Sequence, residues 1–393
     1  MRRSFALLWV SQAASALGTS ISSLAYPLLV LDLTGSPVQA GLVGGVQAAA
    51  ALLLKVPGGI LADRRPPRAL MIAADAVRAA VVGALAVLVL TGAATLPLIL
   101  AAVALEVAFG TVFGPAEFSL VRSVVPAGER ALAVGRMQSR TQLAGLLGPV
   151  VGGALYGLSP ALPFAADALS YLVSLALVLG VQPPLRTAPA AGERLAGGWR
   201  WLRSDPLLLP AGLWVAGLTA VFGAVGLAIL VLARERGATP AELGVLFAIS
   251  TLGGLVGALL TPAIQRRWRP GTVFRAAAVL DTAATLALLP LVSPYAIGVA
   301  GAVAFLLAPA VSASLFGALS ERCPDHLVGR AQSTLSLVVG APAPLAPVAI
   351  GAAIAASSAP IAIAACAGAF AVLALAAFAL PAFRAPGPAS HRG

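Results

Sequence analysis

Charge is what this chain has least of. Only 10% of its 393 residues are Asp, Glu, Lys or Arg, against 60% hydrophobic residues and a mean hydropathy of +0.97. So few ionised side chains cannot cover the apolar surface in any soluble fold, and the solvent must be lipid. Lysine is reduced to Lys55, and the other basic residues are arginines. Histidine and cysteine are as scarce. His326, His391, Cys323 and Cys366 make neither a disulfide framework nor a metal cluster, so no metal site is expected. The net charge of +11 and pI near 11.2 would suit nucleic acid, but the arginines are scattered between apolar runs. A nucleic-acid surface gathers them in one patch with interleaved aromatics, so no such partner is expected. Also missing is any Gly-x-x-x-x-Gly-Lys-Ser/Thr loop, or a soluble domain to hold nucleotide. That excludes ATP hydrolysis as the energy source and leaves an ion gradient, with no cofactor.

What is abundant is apolar sequence in bilayer lengths. A spanning helix takes about 20 mostly apolar residues, and Pro, Gly and charge divide the chain into twelve such runs. Six fall in each half: 5–31, 38–61, 69–90, 95–118, 139–159 and 162–180, then 207–233, 240–263, 273–291, 294–316, 331–356 and 359–382. Met1-Arg2-Arg3 and the apolar run behind it imitate a signal peptide, with Ala14-Ser15-Ala16 resembling a cleavage site. The run continues to Leu33, about twice a signal-peptide core, so it is expected to be a retained first span. Arginine placement tests the count independently, because cytoplasmic loops hold the excess of basic residues. With the N-terminus inside, 21 of the 25 basic residues fall on predicted inner segments, only Arg234 and Arg236 fall outside, and Lys55 and Arg78 fall within spans. Both termini are therefore expected in the cytoplasm, in a bacterial inner membrane.

The halves are related. Val134-Gly135-Arg136-Met137-Gln138-Ser139 returns as Val328-Gly329-Arg330-Ala331-Gln332-Ser333, 194 positions later, and Gly114-Pro115-Ala116 reappears as Ala308-Pro309-Ala310 at the same offset. Both copies fall on the predicted inner side, so the repeat is parallel, the kind of duplication that marks secondary transporters. The expected fold is an all-α integral membrane protein with twelve transmembrane helices in two parallel, pseudo-symmetric six-helix bundles. Residues 1–180 form one bundle and 207–383 the other, joined by a linker at 181–206, with a disordered tail at 384–393. Within the linker a short surface helix is expected at Glu193 to Ser204, resting Trp199, Trp201 and Leu202 on the membrane interface while Arg194, Arg200 and Arg203 face anionic headgroups.

After the second span comes Gly59-Ile60-Leu61-Ala62-Asp63-Arg64-Arg65-Pro66-Pro67-Arg68. Positive-inside bias accounts for the arginines but not for Asp63. This segment resembles the Gly-x-Leu-Ala-Asp-Arg-x-Gly-Arg loop of the major facilitator superfamily at Gly59, Leu61, Ala62, Asp63, Arg64 and Arg68, departing at Pro66. The resemblance covers essentially the whole chain. Leu31 to Ser36, Asp75 with Arg78, and Gly197 to Pro206 look most like the branch containing the enterobactin exporter and macrolide-efflux proteins. It implies two six-helix bundles, alternating access and, in most exporters, coupling to inward proton flow. It also implies that Asp63 caps the cytoplasmic start of span eleven, near Arg330, as a gate. In span five, Gly145, Gly148, Pro149, Gly152 and Gly153 resemble the antiporter motif of drug exporters. The plainer reading of that stripe is close helix packing with a proline kink.

Charge inside a membrane is costly and so informative. Glu106 lies midway along span four, about 11 residues or ~16 Å from either end. The family architecture sets spans one, four, seven and ten around the central cavity, where Glu106 takes a proton or binds cationic drug. The alternative is a static buried carboxyl bonded to its neighbours. Lys55 either snorkels away or meets Glu106. Asp75 and Arg78, three residues apart on span three, share a helical face and form a candidate structural charge pair, nearly repeated by Asp281 after Arg275. Asp32 and Asp167 read as solvated rim charges near the outer surface. Gln12, Ser15, Ser22 and Tyr26 belong to a dense polar series on span one that suits a cavity wall, or else interhelical hydrogen bonding.

The expected activity is export of a hydrophobic or amphiphilic small molecule by proton antiport, by a protein that functions as a monomer. An importer on the same fold, a membrane-embedded enzyme and a non-transporting scaffold are the rival readings. The enzyme reading lacks any His or Cys cluster or triad beside the buried carboxyl.

Overall fold

Proline and glycine set the helix boundaries. In the computed structural model, which describes residues 2–181 and 196–380, the side chains of 2, 3, 63, 122–124, 127, 131 and 196 excepted, the described residues form helices joined by turns, with no strand. The tail at 384–393 and the first part of the linker lie outside the described residues. Helix α1 (Arg2–Thr34) stops at Gly35, whose φ of 62° suits a residue without Cβ and whose N–H reaches Leu31 O at 2.8 Å. Ser36 caps α2 (Pro37–Arg64), accepting from Gln39 N at 3.4 Å. The second half repeats the device: α8 (Leu208–Glu235) ends before Gly237, φ 85°, and α9 (Pro240–Arg267) opens with a capping box. There Thr239 N donates to Glu242 Oε2 at 2.8 Å and Glu242 N to Thr239 Oγ1 at 3.3 Å.

The remaining N-terminal helices are α3 (Pro67–Leu90), α4 (Leu96–Val124), α5 (Arg130–Leu158) and α6 (Leu162–Leu179). After the linker helix α7 (Ala196–Ser204) and α8 and α9 come α10 (Pro270–Ala287), α11 (Pro294–Phe305), α12 (Ala308–Arg322), α13 (Val328–Gly340), α14 (Ala346–Ala356) and α15 (Ala359–Ala379). Ten segments are long and apolar enough to cross a bilayer, with α11 and α12 counted as one. Helix α10, which carries Arg275 and Asp281, and the pair α13 and α14 bring the count to twelve. Spans ten and eleven are thus broken where single helices were expected. In span eleven the run Ala341-Pro342-Ala343-Pro344-Leu345 interrupts the helix, because each proline lacks an N–H and clashes with the preceding turn.

The chain divides into two compact units, 1–192 with 238–248, and 193–237 with 249–393. In the first, α1 packs on α5 and α6, α3 on α4 and α6, and α2 on α4, around Leu8, Met71, Phe113, Leu120 and Val178. In the second, α8 packs on α13, α14 and α15, and α10 on α15. Helix α7 lies against α13 so closely that Gly198 has no room for a Cβ beside Arg330. Trp199 is exposed as expected of an interfacial residue, but Leu202 is fully buried. The expectation that Leu202 rests on lipid is corrected: a nine-residue helix with glycines on one face docks onto a neighbour.

Candidate functional site

Four helices of the N-terminal unit turn polar side chains inward. Helix α1 supplies Thr19, Ser22 and Tyr26, spaced three and four apart on one face. Helix α3 supplies Asp75 and Arg78, α4 Glu106, and α6 Asp167, Ser170, Tyr171 and Ser174. Tyr26, Asp75, Arg78, Glu106, Asp167 and Tyr171 are each at most 7% exposed. The helices meet closely because Gly18 has no side chain, and a Cβ there would run into Ser170 and Asp167.

Glu106 is the best-furnished member. Tyr26 donates to its Oε2 at 2.6 Å and Tyr171 to its Oε1 at 2.9 Å, while Arg78 Nη2 lies 4.0 Å from Oε1. Arg78 Nη2 donates to the Tyr171 hydroxyl at 2.5 Å and to Thr19 Oγ1 at 3.0 Å, and its guanidinium carbon sits 4.0 Å from the Tyr171 ring centroid. Asp167 Oδ2 is 2.6 Å from Ser22 Oγ, and Asp75 accepts from Ser174 at 2.6 Å. Three carboxyls therefore surround one guanidinium where the low dielectric magnifies every uncompensated charge.

Several expectations change here. Glu106 faces the interior of its own bundle, held by α1, α3 and α6, and not an open cavity. Lys55 is exposed, and the cation beside Glu106 is Arg78. Asp75 and Arg78 share the predicted face but take separate partners, because Arg78 is long enough to reach the hydroxyls of α1 and α6. Asp167 is not a rim charge but fully buried, since α6 faces α1 and α3 along the side that carries it. Asp32 remains exposed and accepts from Tyr156 at 2.7 Å. Gln12, Ser15, Ser22 and Tyr26 are buried at 4% exposure or less. Ser22 and Tyr26 join helices by hydrogen bonds.

In the loop motif, Gly59 has open space around it, and Gly58 is the residue pressed against the Thr111 backbone. The Asp63 side chain lies outside the described residues, and Arg64 is exposed. Arg68 donates Nε to Val178 O at 3.2 Å and Nη2 to Leu179 O at 2.5 Å, a cation on the carbonyls that end α6. In span five, Gly145 is half-buried, a Cβ on Gly148 would strike Ser20, and one on Gly152 would strike the Ile21 carbonyl. Gly153 meets Gly244 at the start of α9, where the Pro149 carbonyl also abuts Gly244.

Sequence reasoning missed Glu117 and Arg140, a buried ion pair between α4 and α5, with Nη1 2.9 Å from Oε1 and Nη2 donating to Oε2 at 3.2 Å. An acid inside the last turns of an apolar run was the available signal. A cavity of about 980 Å³ opens elsewhere in this unit, between Phe5, Trp9 and Val10 of α1 and Val125, Leu132 and Arg136. No member of the polar cluster lines it.

The family model for the Major Facilitator Superfamily matches residues 8–347. Enterobactin exporter EntS of Shigella boydii serotype 18 is 25% identical over 341 residues, covering 83% of this chain and 79% of that protein. Its counterpart in Escherichia coli O157:H7 matches to the same extent. Among solved structures, the nucleoside transporter NupG superposes with a TM-score of 0.80 at 12% identity, over 96% of this chain and all of that one. An inward-facing bacterial homologue of the human lysosomal transporter Spinster gives 0.74 at 16% identity, over 97% and 95%. Twelve spans in two six-span halves and a family match across most of the length agree: the chain is a multi-pass membrane transporter of the major facilitator superfamily.

Proposed function

We propose that this transporter exports a hydrophobic or amphiphilic small molecule by alternating access, driven by proton antiport across a bacterial inner membrane with both termini in the cytoplasm. The observation that carries the proposal is the buried cluster around Glu106, which holds more carboxyls than cations. A membrane protein that keeps unbalanced acid in its interior has a place to bind and release protons. Export is supported by relatives named as enterobactin exporters at 25% identity over most of both chains. In the cycle, protonation of the cluster from outside and binding of substrate from inside compete, each favouring a different facing of the transporter. Asp63, carried over from the family motif, acts as gate at the C-terminal end of α2.

The test is reconstitution into proteoliposomes with an imposed pH gradient, using enterobactin and a macrolide as probes. Export by antiport predicts gradient-dependent accumulation in inverted vesicles, its collapse with a protonophore, and its loss in Glu106→Gln. Equal accumulation with the gradient collapsed removes proton coupling. Gradient-driven movement in the opposite sense makes the protein an importer.

A further inference from the structure

Within the cluster the three carboxyls are not equivalent, and the hydrogens available to them can be counted. Glu106 receives two phenolic hydrogens, from Tyr26 and Tyr171, and has the guanidinium of Arg78 beside it. Those are the surroundings of an ionised carboxylate. Asp167 is left with less, because the single hydrogen of the nearby Tyr171 hydroxyl is directed to Glu106. The hydroxyl closest to its Oδ2 is that of Ser22, 2.6 Å away, and that hydroxyl is also 3.1 Å from the carbonyl of Thr19. Ser22 has one hydrogen and faces two acceptors. Ser170 is 3.4 Å from Oδ1 but points its hydrogen at the backbone carbonyl of Asp167, 2.7 Å away. If Asp167 carries a proton, both bonds of Ser22 are made: Asp167 O–H donates to Ser22 Oγ, and Ser22 O–H donates to Thr19 O. Asp75, whose Oδ2 accepts from Ser174 and whose Oδ1 has no partner among the described residues, takes no part in this pair.

The charges lead to the same assignment. The titratable and charged groups around Asp167 are Tyr26 on α1, Arg78 on α3 with Asp75 a turn before it, Glu106 on α4 and Tyr171 on its own helix. Helix α5 also packs on α6, but its Tyr156 is bonded to Asp32 and its Arg140 to Glu117. One guanidinium balances one carboxylate, and the hydrogen bonds make that one Glu106.

We infer that Asp167, hydrogen-bonded to Ser22, is the residue that carries the exchangeable proton, and that Glu106 is the fixed counter-charge of Arg78. This rests on the proton-antiport reading and reassigns the proton within it. Loading adds a proton at Asp167 Oδ2 and turns the Ser22 hydrogen to Thr19 O. Release returns the Ser22 hydrogen to Oδ2 and leaves Asp167 as a carboxylate that Arg78, already matched to Glu106, does not balance. That excess charge bears on the contact of α1 with α6, which Gly18 holds too tight for a methyl group.

The test is infrared difference spectroscopy of the full chain in nanodiscs at neutral pH, following the carbonyl stretch of protonated carboxyls. The wild type should show a component that disappears in Asp167→Asn and shifts to higher frequency in Ser22→Ala, where the acid loses its acceptor. The same component should stay in place in Tyr26→Phe, because Tyr26 serves Glu106. A component that moves in Tyr26→Phe and not in Ser22→Ala, or that survives Asp167→Asn, overturns the assignment. Because Ser22→Ala and Tyr26→Phe are conservative, the result does not depend on whether Asp167→Asn folds. In proteoliposomes, gradient-driven transport of enterobactin should be lost in Asp167→Asn. If wild-type transport of both probes ignores the gradient, the antiport reading falls, while the spectrum still reports where the proton sits.

Discussion

At the scale of residues, a buried ion is kept only where its charge is met. Arg78 answers its charge with Glu106 and its Nη2 with the hydroxyls of Thr19 and Tyr171, and Arg140 pairs with Glu117, though the Nε of each arginine is left without a partner among the described residues. Sequence revealed the expensive residue in each case where an acid stood mid-span, as with Glu106. It did not reveal the partners of Glu106, because they come from helices 28 to 80 residues away, at distances that only packing sets. Outside the spans, Asp205 joins two tasks. Its Oδ1 accepts from the N–H groups of Leu207 and Leu208, both at 2.9 Å, at the start of α8, and its Oδ2 accepts from Arg322 Nε at 2.8 Å. Partial burial pushes the carboxyl up, but the bonds from Arg322, Leu208 and Leu207 outweigh it and hold Asp205 below its ordinary value. A depressed folded-state value means the contribution to stability is complete above the ordinary carboxylate range and lost as pH falls through the depressed value. Thermal unfolding in detergent followed against pH should therefore show wild type above Asp205→Asn at neutral pH, with the two curves converging in acid. A gap that is constant with pH would mean that the charge contributes nothing.

At the scale of elements, α5 shows what a glycine stripe does. Gly148 and Gly152 let it touch α1 at backbone distance, and their neighbours Ser20 and the Ile21 carbonyl leave no space for a side chain. Gly157, on the same helix, has nothing near it. Gly152→Val is expected to cost about 1–3 kcal/mol or more, because the obstacle is backbone and cannot rotate away. Gly157→Val should cost far less. Gel filtration and melting temperature of the two variants check the contrast, and equal loss in both would mean the effect is β-branching in the helix and not the contact. The close packing of span five was legible, since small residues at helical spacing have few other uses in a membrane. The breaks inside spans ten and eleven were not legible as breaks: hydropathy runs straight through 294–322, and only the backbone shows where the ladder of hydrogen bonds stops.

At the scale of the molecule, six spans per half and the placement of arginines make a prediction about sidedness. In a background without Cys323 and Cys366, Ala93→Cys between α3 and α4 should label with an impermeant maleimide from outside the cell. Gly128→Cys between α4 and α5 should label only after permeabilisation. Both positions are exposed, so the comparison reads sidedness and not burial. The reverse pattern would put the termini outside and undo the orientation drawn from the basic loops.

Composition, the repeated hexapeptide and the scarcity of charge were enough to determine lipid as solvent, twelve spans and the family, because each depends on what a stretch of chain is made of. Tertiary structure alone decided which acid meets which cation. It moved Asp167 from the rim to the interior of the cluster, replaced Lys55 by Arg78 beside Glu106, and bonded Thr19, Ser22 and Tyr26 of α1 to neighbouring helices. The physical reason is that the direction a helix face takes is set by its neighbours. In a chain hydrophobic all round, the lipid-facing and protein-facing sides carry nearly the same residues.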